Sequence, residues 1–367
     1  MQRCCSLLVE GDIMKTKYAL LTTELRRLCA RMRRTGQMKL PGELELGERY
    51  GCSRQTVRAA LSQLEQDGLI VRVRGSGTYL SDGRPGMRGR VAVITAYSGE
   101  YIYPQLLRDI GTELSPAGFE LLQYSTGNRV LREREILTQL LRDPPAGILL
   151  EGARTALPSP NLELLTQLEQ LDVPLVFLHA PLPAPEDAPF VIDDNEAGSR
   201  ILVRRLLNTE HKKIAGIFKS DDRQGMERYS GFLAEQLEAG LPAGEENILW
   251  FSTEDRNRLM AGQFDWLDRF VHSRIRECTA AVCYNDEIAY ALIRTLLSAG
   301  YRVPEDLAVV SFDNSHLCTL SPVPITSLTH ERHQMGNTAA KALLQLMHGK
   351  NVRNVRLPWI LKVLQSG

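Results

Sequence analysis

Leu40-Pro41-Gly42-Glu43-Leu44-Glu45-Leu46-Gly47-Glu48-Arg49-Tyr50, followed by Gly51-Cys52-Ser53-Arg54-Gln55-Thr56-Val57-Arg58-Ala59-Ala60-Leu61, is the stretch that decides how the N-terminal part of this chain folds. Glu43 to Tyr50 reads as one short amphipathic helix, and Gly51-Cys52 as a turn. Ser53 suits the N-cap of a second helix, because its hydroxyl accepts one of the backbone N–H groups that a helix start leaves unpaired. Val57, Ala60, Leu61 and Leu64 then recur at spacings of three and four, which carries the second helix to about Asp67 with one apolar face. Gly68 stops it. Beyond it, Ile70-Val71-Arg72-Val73 and Thr78-Tyr79-Leu80 read as two short strands around an Arg74-Gly75-Ser76-Gly77 turn. Helix, tight turn, helix and basic two-stranded wing make a winged helix-turn-helix.

The polar face of the second helix carries Arg54, Gln55 and Arg58 near its N-terminus, the end that reaches base edges in a major groove. Arginine pairs bidentately with guanine and glutamine with adenine. Ser53 and Thr56 beside them, with Arg74 and Gly75 of the wing, complete the expected DNA-binding set. The plain alternative is an arginine-rich solvated helix, but turn, helix and wing all agree with the DNA-binding reading. The segment resembles the GntR family of bacterial regulators. The residues that carry the resemblance are Leu40-Pro41, Glu43, Glu45-Leu46, Ser53-Arg54, Thr56-Val57-Arg58, Ala60-Leu61, Leu64, Gly68-Leu69-Ile70, Gly75 and Gly77-Thr78-Tyr79. Many members of that family have arginine where Leu44 stands, so the resemblance implies one DNA contact fewer here.

The chain has 367 residues, with 44 Lys+Arg against 44 Asp+Glu. Such a length holds about two or three domains with cores of their own. Zero net charge excludes a generic polyanion binder, yet the distribution is uneven. Between Met14 and Leu80 the basic residues clearly outnumber the acidic ones, which leaves an acidic remainder. A basic head on an acidic body suits DNA binding by the head alone. The seven cysteines include no C-x-x-C pair, so neither a disulfide framework nor zinc is expected, and a reducing cytoplasm is. Cys278 and Cys283 read as small apolar fillers. No apolar run approaches the ~20 residues that cross a bilayer. The segment from Met1 to Ile13 makes no convincing signal peptide and reads as disordered or as an upstream mis-start, with Met1 and Met14 both open as the start.

Thr16 to Arg34 reads as a helix that closes the head core, with Leu20, Leu21, Leu25 and Leu28 inside and Arg26, Arg27, Arg33 and Arg34 outside. The head is bounded at residues 14–81, and residues 82–89 form a Gly/Pro-containing linker. From Arg90 the pattern alternates between short apolar strands and amphipathic helices, with single helices expected at Arg228 to Ala239 and Leu259 to Val271. This predicts an α/β fold with parallel sheets covered on both faces, divided into two doubly wound lobes over residues 90–367. Ligands bind such sheets beyond the C-terminal strand ends, which places a site between the lobes.

The last third strengthens the case. Tyr284-Asn285-Asp286-Glu287-Ile288-Ala289, Gly300-Tyr301-Arg302-Val303-Pro304-Glu305-Asp306-Leu307, Val310-Ser311-Phe312-Asp313 and a Leu328-Thr329-His330 to Met335-Gly336 tail are similar to the lactose-repressor/periplasmic-binding-protein type I family. The resemblance implies three crossings between lobes, expected near Asp193, Pro322 and Val352. Joined to a GntR-type head, the body resembles the arabinose-repressor family of Gram-positive bacteria. Further carriers are Thr95-Ala96-Tyr97, Tyr101-Ile102-Tyr103-Pro104, Ile192-Asp193-Asp194 and Gly216-Ile217-Phe218-Lys219-Ser220-Asp221-Asp222. The end of the chain departs from the family, since Leu361-Lys362-Val363-Leu364-Gln365-Ser366 stands where an Arg-x-Ser is usual, and this bears on the packing of the last strand.

The strand ends deliver Tyr97, Ser125, Glu151, His179, Lys219, Asn285 and Asp313 toward one cleft, with Tyr101, Asp193, Asp194 and Arg228 nearby. Carboxylates and amides accept from hydroxyls, cations and amides donate to them, and an aromatic ring stacks on a sugar face. The resemblance implies a ligand-clamping Arg228 and a hydroxyl-binding pair, Asn285 and Asp313. Against this stand a surface arginine, an N-cap asparagine and a loop-capping aspartate. Asp193 and Asp194 double as candidate hinge caps. The expected ligand-binding residues are thus Tyr97, Tyr101, Glu151, His179, Lys219, Arg228, Asn285 and Asp313. No phosphate-binding G-x-x-x-x-G-K-[ST], no G-x-S-x-G and no H-E-x-x-H occurs, so neither a cofactor nor a catalytic site is expected. A sugar-processing enzyme with a DNA-binding head is the reading of another class. The sequence points instead to a homodimeric repressor of double-stranded operator DNA that responds to a small sugar, and the resemblance implies L-arabinose first. Another sugar or a purine is the nearer alternative.

Overall fold

The computed structural model describes residues 10–35, 37–67, 69–73, 75–81, 89–241 and 245–367. Gly68, Arg74, positions 82–88 of the expected linker and the residues before Glu10 lie outside the described residues.

The head comprises α1 (Glu10–Thr35), α2 (Glu43–Tyr50), α3 (Arg54–Gln66), β1 (Ile70–Val73) and β2 (Gly77–Leu80). Gly51 ends α2 at φ 62, a left-handed turn that glycine enters without a Cβ penalty. Ser53 caps α3 by accepting the Thr56 N–H at 3.2 Å. Leu25, Leu46, Val57, Leu61 and Leu64 meet in one core. Each such side chain contributes about 1.5–3 kcal/mol on full burial. The wing is an antiparallel pair with Ile70 opposite Leu80. Two details differ from the sequence reading. Helix α1 starts at Glu10, ahead of Thr16. Leu20 is exposed rather than inside, because it lies one step off the stripe formed by Leu21, Leu25 and Leu28.

The body holds two sheets. The first lobe contains β3 (Gly89–Thr95), β4 (Phe119–Ser125), β5 (Gly147–Leu150), β6 (Leu175–Leu178), β7 (Phe190–Asp193) and the late strand β13 (Val355–Leu357). They run parallel in the order β13-β7-β6-β5-β3-β4. The second lobe contains β8 (Ile214–Lys219), β9 (Ile248–Phe251), β10 (Ala280–Cys283), β11 (Ala308–Phe312), β12 (Thr326–Thr329) and β14 (Ile360–Lys362), in the order β14-β12-β11-β10-β8-β9. Only β14 is antiparallel, on β12. Helices α4 (Tyr103–Leu114), α5 (Val130–Arg142), α6 (Leu162–Gln170) and α13 (Gln334–Met347) cover the first sheet. Helices α7 (Asn195–Asn208), α8 (Arg223–Glu238), α9 (Thr253–Met260), α10 (Asp265–Ser273), α11 (Asp286–Ser298) and the short α12 (Leu317–Leu320) belong to the second.

Several boundaries are corrected. Helix α8 begins at Arg223, so Arg228 sits in its second turn rather than at its start. The single helix expected from Leu259 to Val271 is two, α9 and α10, broken where Gly262 takes φ 82. The first lobe crossing follows Asp193 as expected. The second falls at residues 330–333, between β12 and α13, not at Pro322. The third falls at Pro358-Trp359, between β13 and β14, not at Val352. The divergent chain end is well packed: Ser366 is buried, its hydroxyl accepts the Thr326 N–H at 2.9 Å, and its backbone oxygen accepts the Val309 N–H at 2.6 Å.

Close approach fixes glycine at Gly231 in α8, where a Cβ would lie 2.1 Å from the backbone oxygen of Glu196 in α7. Gly231→Ala is expected to pry α7 from α8 and to destabilise the body by about 1–3 kcal/mol, read as a lowered midpoint in thermal or urea unfolding. An unchanged midpoint would show that the two helices slide apart freely.

Candidate functional site

Two sites follow from this architecture. The first is the exposed N-terminal face of α3. Arg54, Gln55 and Arg58 are exposed there, beside Ser53 and Thr56. The Arg58 Nε donates to Glu43 Oε2 at 2.7 Å, so α2 presets the direction of that guanidinium. Arg72 of the wing bonds the Arg58 carbonyl at 3.2 Å and the Ser62 hydroxyl at 3.1 Å, which fixes the wing against α3. Gly75 takes φ 78 at the exposed wing tip.

The second site is a cavity of about 580 Å³ between the lobes, at the C-terminal ends of both sheets. Tyr97, Tyr101, Glu151, His179, Lys219, Arg228, Asn285 and Asp313 all line it. Ser125 does not. Its hydroxyl is turned back to the Ala96 carbonyl at 3.0 Å. Asp194 caps α7 instead, accepting the Ala197 N–H at 3.3 Å.

Each lining group is held by its own partners. Arg228 is 2% exposed. Its Nε donates to Asn195 Oδ1 at 2.9 Å, its Nη1 donates to the Tyr284 carbonyl, and its Nη2 lies 3.5 Å from Asp313 Oδ1. Its guanidinium also sits 4.1 Å from the Phe312 ring. Asp313, at φ 94, accepts the Tyr101 hydroxyl at 2.6 Å. Asn285 is the N-cap of α11, its Oδ1 accepting the Ile288 N–H at 3.1 Å, while its amide nitrogen donates to Glu287 Oε2 at 3.4 Å and keeps its second N–H for a ligand. Glu151 accepts the Ala96 N–H at 2.8 Å and the Tyr103 hydroxyl at 3.1 Å. Burial raises its pKa. Burial works against the charge on Lys219, but Asp222 at 2.6 Å and Asp221 at 3.5 Å outweigh it and raise the ammonium pKa. Burial likewise opposes protonation of His179, yet Asp193 at 3.1 Å prevails and lifts the imidazole to about 9.

The lobes touch across this cavity. Tyr101 of the first bonds Asp313 of the second. Asn128 donates to Asp222 at 2.9 Å and to the Thr253 hydroxyl at 2.7 Å. Arg154 pairs with Glu254, and the Arg223 N–H donates to the Thr155 hydroxyl at 3.0 Å. This is a closed arrangement with polar latches on its rim.

Sequence reasoning missed Arg256, which lines the cavity. It forks onto Glu287 at 2.6 and 2.8 Å, reaches Glu100 of the other lobe at 3.0 Å and stacks 3.9 Å from the Tyr97 ring. No local pattern marks it, because its partners are far away in sequence. Asp222, Tyr284, Glu287, His330 and Trp359 also line the cavity. All but Trp359 stand in stretches that carried the family resemblance. Tyr97 Oη, His179 Nε2 and Trp359 Nε1 are buried with no hydrogen-bond partner within the protein. Such groups are costly to leave unpaired, which favours a ligand that offers several oxygens.

The sequence matches two family models: bacterial regulatory proteins of the gntR family over residues 18–80, and a periplasmic binding protein-like domain over residues 203–363. An arabinose metabolism transcriptional repressor from Geobacillus stearothermophilus is 33% identical, over 88% of this chain and 89% of its own length. One from Halalkalibacterium halodurans is 32% identical, over 90% and 89%. Among solved structures, a transcription regulator GntR from Chromobacterium violaceum aligns with a TM-score of 0.66 at 26% identity, over 76% of this chain and 98% of that one. The transcriptional regulator CelR in complex with cellobiose aligns with a TM-score of 0.65 at 25% identity, over 86% and 90%. These relatives are transcription regulators, not enzymes. The chain belongs to the family of transcriptional repressors in which a gntR-type DNA-binding head precedes a periplasmic-binding-protein-like body.

Proposed function

We propose that the head reads operator DNA through Arg54, Gln55 and Arg58, that the body binds a small sugar in the cavity between its lobes, L-arabinose first, and that the sugar releases the operator. The observation that carries the sugar reading is the cavity itself. Donors, acceptors and an aromatic ring from both lobes converge there, and buried polar atoms on its lining residues lack partners. The relatives named for arabinose metabolism support L-arabinose among sugars. Ser53, Thr56 and Gly75 complete the proposed DNA surface, with Arg74 as a basic residue of the wing turn.

The chain acts as a homodimer in this reading, because two heads related by a two-fold axis read a palindrome. It works in the cytoplasm, where its DNA is. No helix among the described residues is long and apolar enough to cross a membrane. A ligand that contacts both lobes binds the closed form better than the open one, and only such differential affinity shifts the balance between them. The heads then change spacing and the operator is released, with reciprocal coupling between the two sites.

Titration calorimetry on the full chain tests the ligand. Saturable binding of L-arabinose is expected, with D-glucose, cellobiose and adenine each at least tenfold weaker. A second reading, a larger sugar, rests on the cavity volume of about 580 Å³ and on the relative solved with cellobiose. Tighter binding of cellobiose than of L-arabinose would decide for it, and tighter binding of adenine would discard the sugar.

A further inference from the structure

The three crossings between lobes meet at one side chain. His330 opens the second crossing. Its Nε2 lies 2.8 Å from Asp193 Oδ1, at the first crossing, and its Nδ1 lies 2.9 Å from the Pro358 carbonyl oxygen, at the third. Its ring stacks on Trp359, also in the third, with centroids 3.8 Å apart. Trp359 is wedged in turn against Phe312 of the second lobe. The other oxygen of Asp193 takes His179 Nδ1, so one carboxylate joins the hinge to the cavity wall.

The partners settle the charge of His330. A carboxylate and a peptide carbonyl both accept and neither donates. Each ring nitrogen must therefore carry a proton for both bonds to form, and such a ring is an imidazolium. A neutral ring has a single N–H and must surrender one of the two crossings.

We propose that His330 is a proton-operated lock on the hinge: doubly protonated, it ties the three lobe crossings together in the closed arrangement, and loss of its proton frees one of them. The charged groups around it agree. Asp193 of β7 and Asp313 after β11 face it from two elements. His179 balances Asp193 from the far side, Arg228 of α8 lies beyond the Trp359 ring at 5.7 Å, and Glu331 and Arg332 follow it in sequence. Burial disfavours the charge, but the Asp193 carboxylate and the Pro358 carbonyl more than offset this and raise the pKa above the ordinary 6.5. A raised pKa places the lock fully on below the ordinary value. The lock is lost as pH rises through the raised one. Closing the lobes therefore takes up a proton on the alkaline side, whichever sugar fills the cavity.

The test needs no sugar. Small-angle scattering of the full chain between pH 6 and pH 10 is expected to show the radius of gyration growing on the alkaline side for the wild type. The same growth is expected for His179→Gln, which leaves the His330 bonds in place. His330→Gln is expected to keep one radius at every pH, because its amide cannot donate at two opposite ends. Ring ¹⁵N spectra, with His330 assigned by its loss in His330→Gln, are expected to show both nitrogens protonated at pH 7. A wild-type radius that does not change with pH, a change that survives His330→Gln, or a singly protonated ring at pH 7 would each overturn the lock.

Discussion

Replacing Arg228 by lysine is expected to leave operator binding intact and to remove the response to effector. The buried guanidinium makes three polar contacts, to Asn195 of α7, to Tyr284 just after β10 and to Asp313 just after β11, and it retains N–H donors beyond those it uses. Lysine keeps a positive charge beside Asp313 but cannot copy the planar fork that grips neighbouring ring hydroxyls. Arg228→Ala is harsher. It leaves Asp313, which is 11% exposed, with the Tyr101 hydroxyl but without its cationic partner, and breaking a buried pair in this way costs about 3–5 kcal/mol. The body of Arg228→Ala is therefore expected to unfold at markedly lower temperature, whereas Arg228→Lys keeps most of its stability. In a cell the folded fraction of each is expected to act as a repressor that sugar does not switch off. Calorimetry with L-arabinose and a thermal melt on each variant check the two effects separately. Wild-type sugar affinity in Arg228→Lys would move the clamp elsewhere in the cavity.

Loss of Arg54 and Arg58 together is expected to have the opposite phenotype, constant expression of the target genes. Each arginine that pairs with a guanine contributes about 1–3 kcal/mol of discrimination, so the double alanine variant loses about 2–6 kcal/mol of specific binding. Both side chains are exposed and neither belongs to the head core, so the fold and the sugar site stay intact. A filter-binding series at several salt concentrations also separates the roles. Base-reading arginines lower the ratio of specific to non-specific affinity, while phosphate contacts lower both and flatten the salt slope. Equal loss on operator and on random DNA would reassign the two arginines to the backbone.

Much of this molecule is legible in its sequence, for physical reasons that particular residues make plain. Val57, Ala60, Leu61 and Leu64 announce α3 because local periodicity and a serine cap say the same thing. The strands of both sheets are visible because parallel strands buried on two faces become short apolar runs, as in Gly147-Ile148-Leu149-Leu150. The strand-end rule points to six of the expected ligand residues that line the cavity, Tyr97, Glu151, His179, Lys219, Asn285 and Asp313, since a parallel sheet delivers its loops to one edge. What stayed hidden depends on distance along the chain. Arg256 draws its role from Tyr97, Glu100 and Glu287, and nothing near it signals them. The second and third crossings lie further along the chain than the resemblance implies, and β12, β13 and β14, three or four residues long, carry too little pattern to correct it. Ser125 was expected in the cavity because it ends β4, but β4 is an edge strand and its hydroxyl bonds back to its neighbour.

The central claim is that a sugar held between the lobes weakens the grip of a distant head. It is tested most directly by fluorescence anisotropy of the full chain on DNA selected from a random pool, titrated with L-arabinose. Operator affinity of the wild type is expected to fall by at least tenfold at saturating sugar, with no change for Arg228→Lys at the same concentrations. Operator affinity that ignores L-arabinose while calorimetry shows it bound, or release that proceeds equally in Arg228→Lys, would contradict the account.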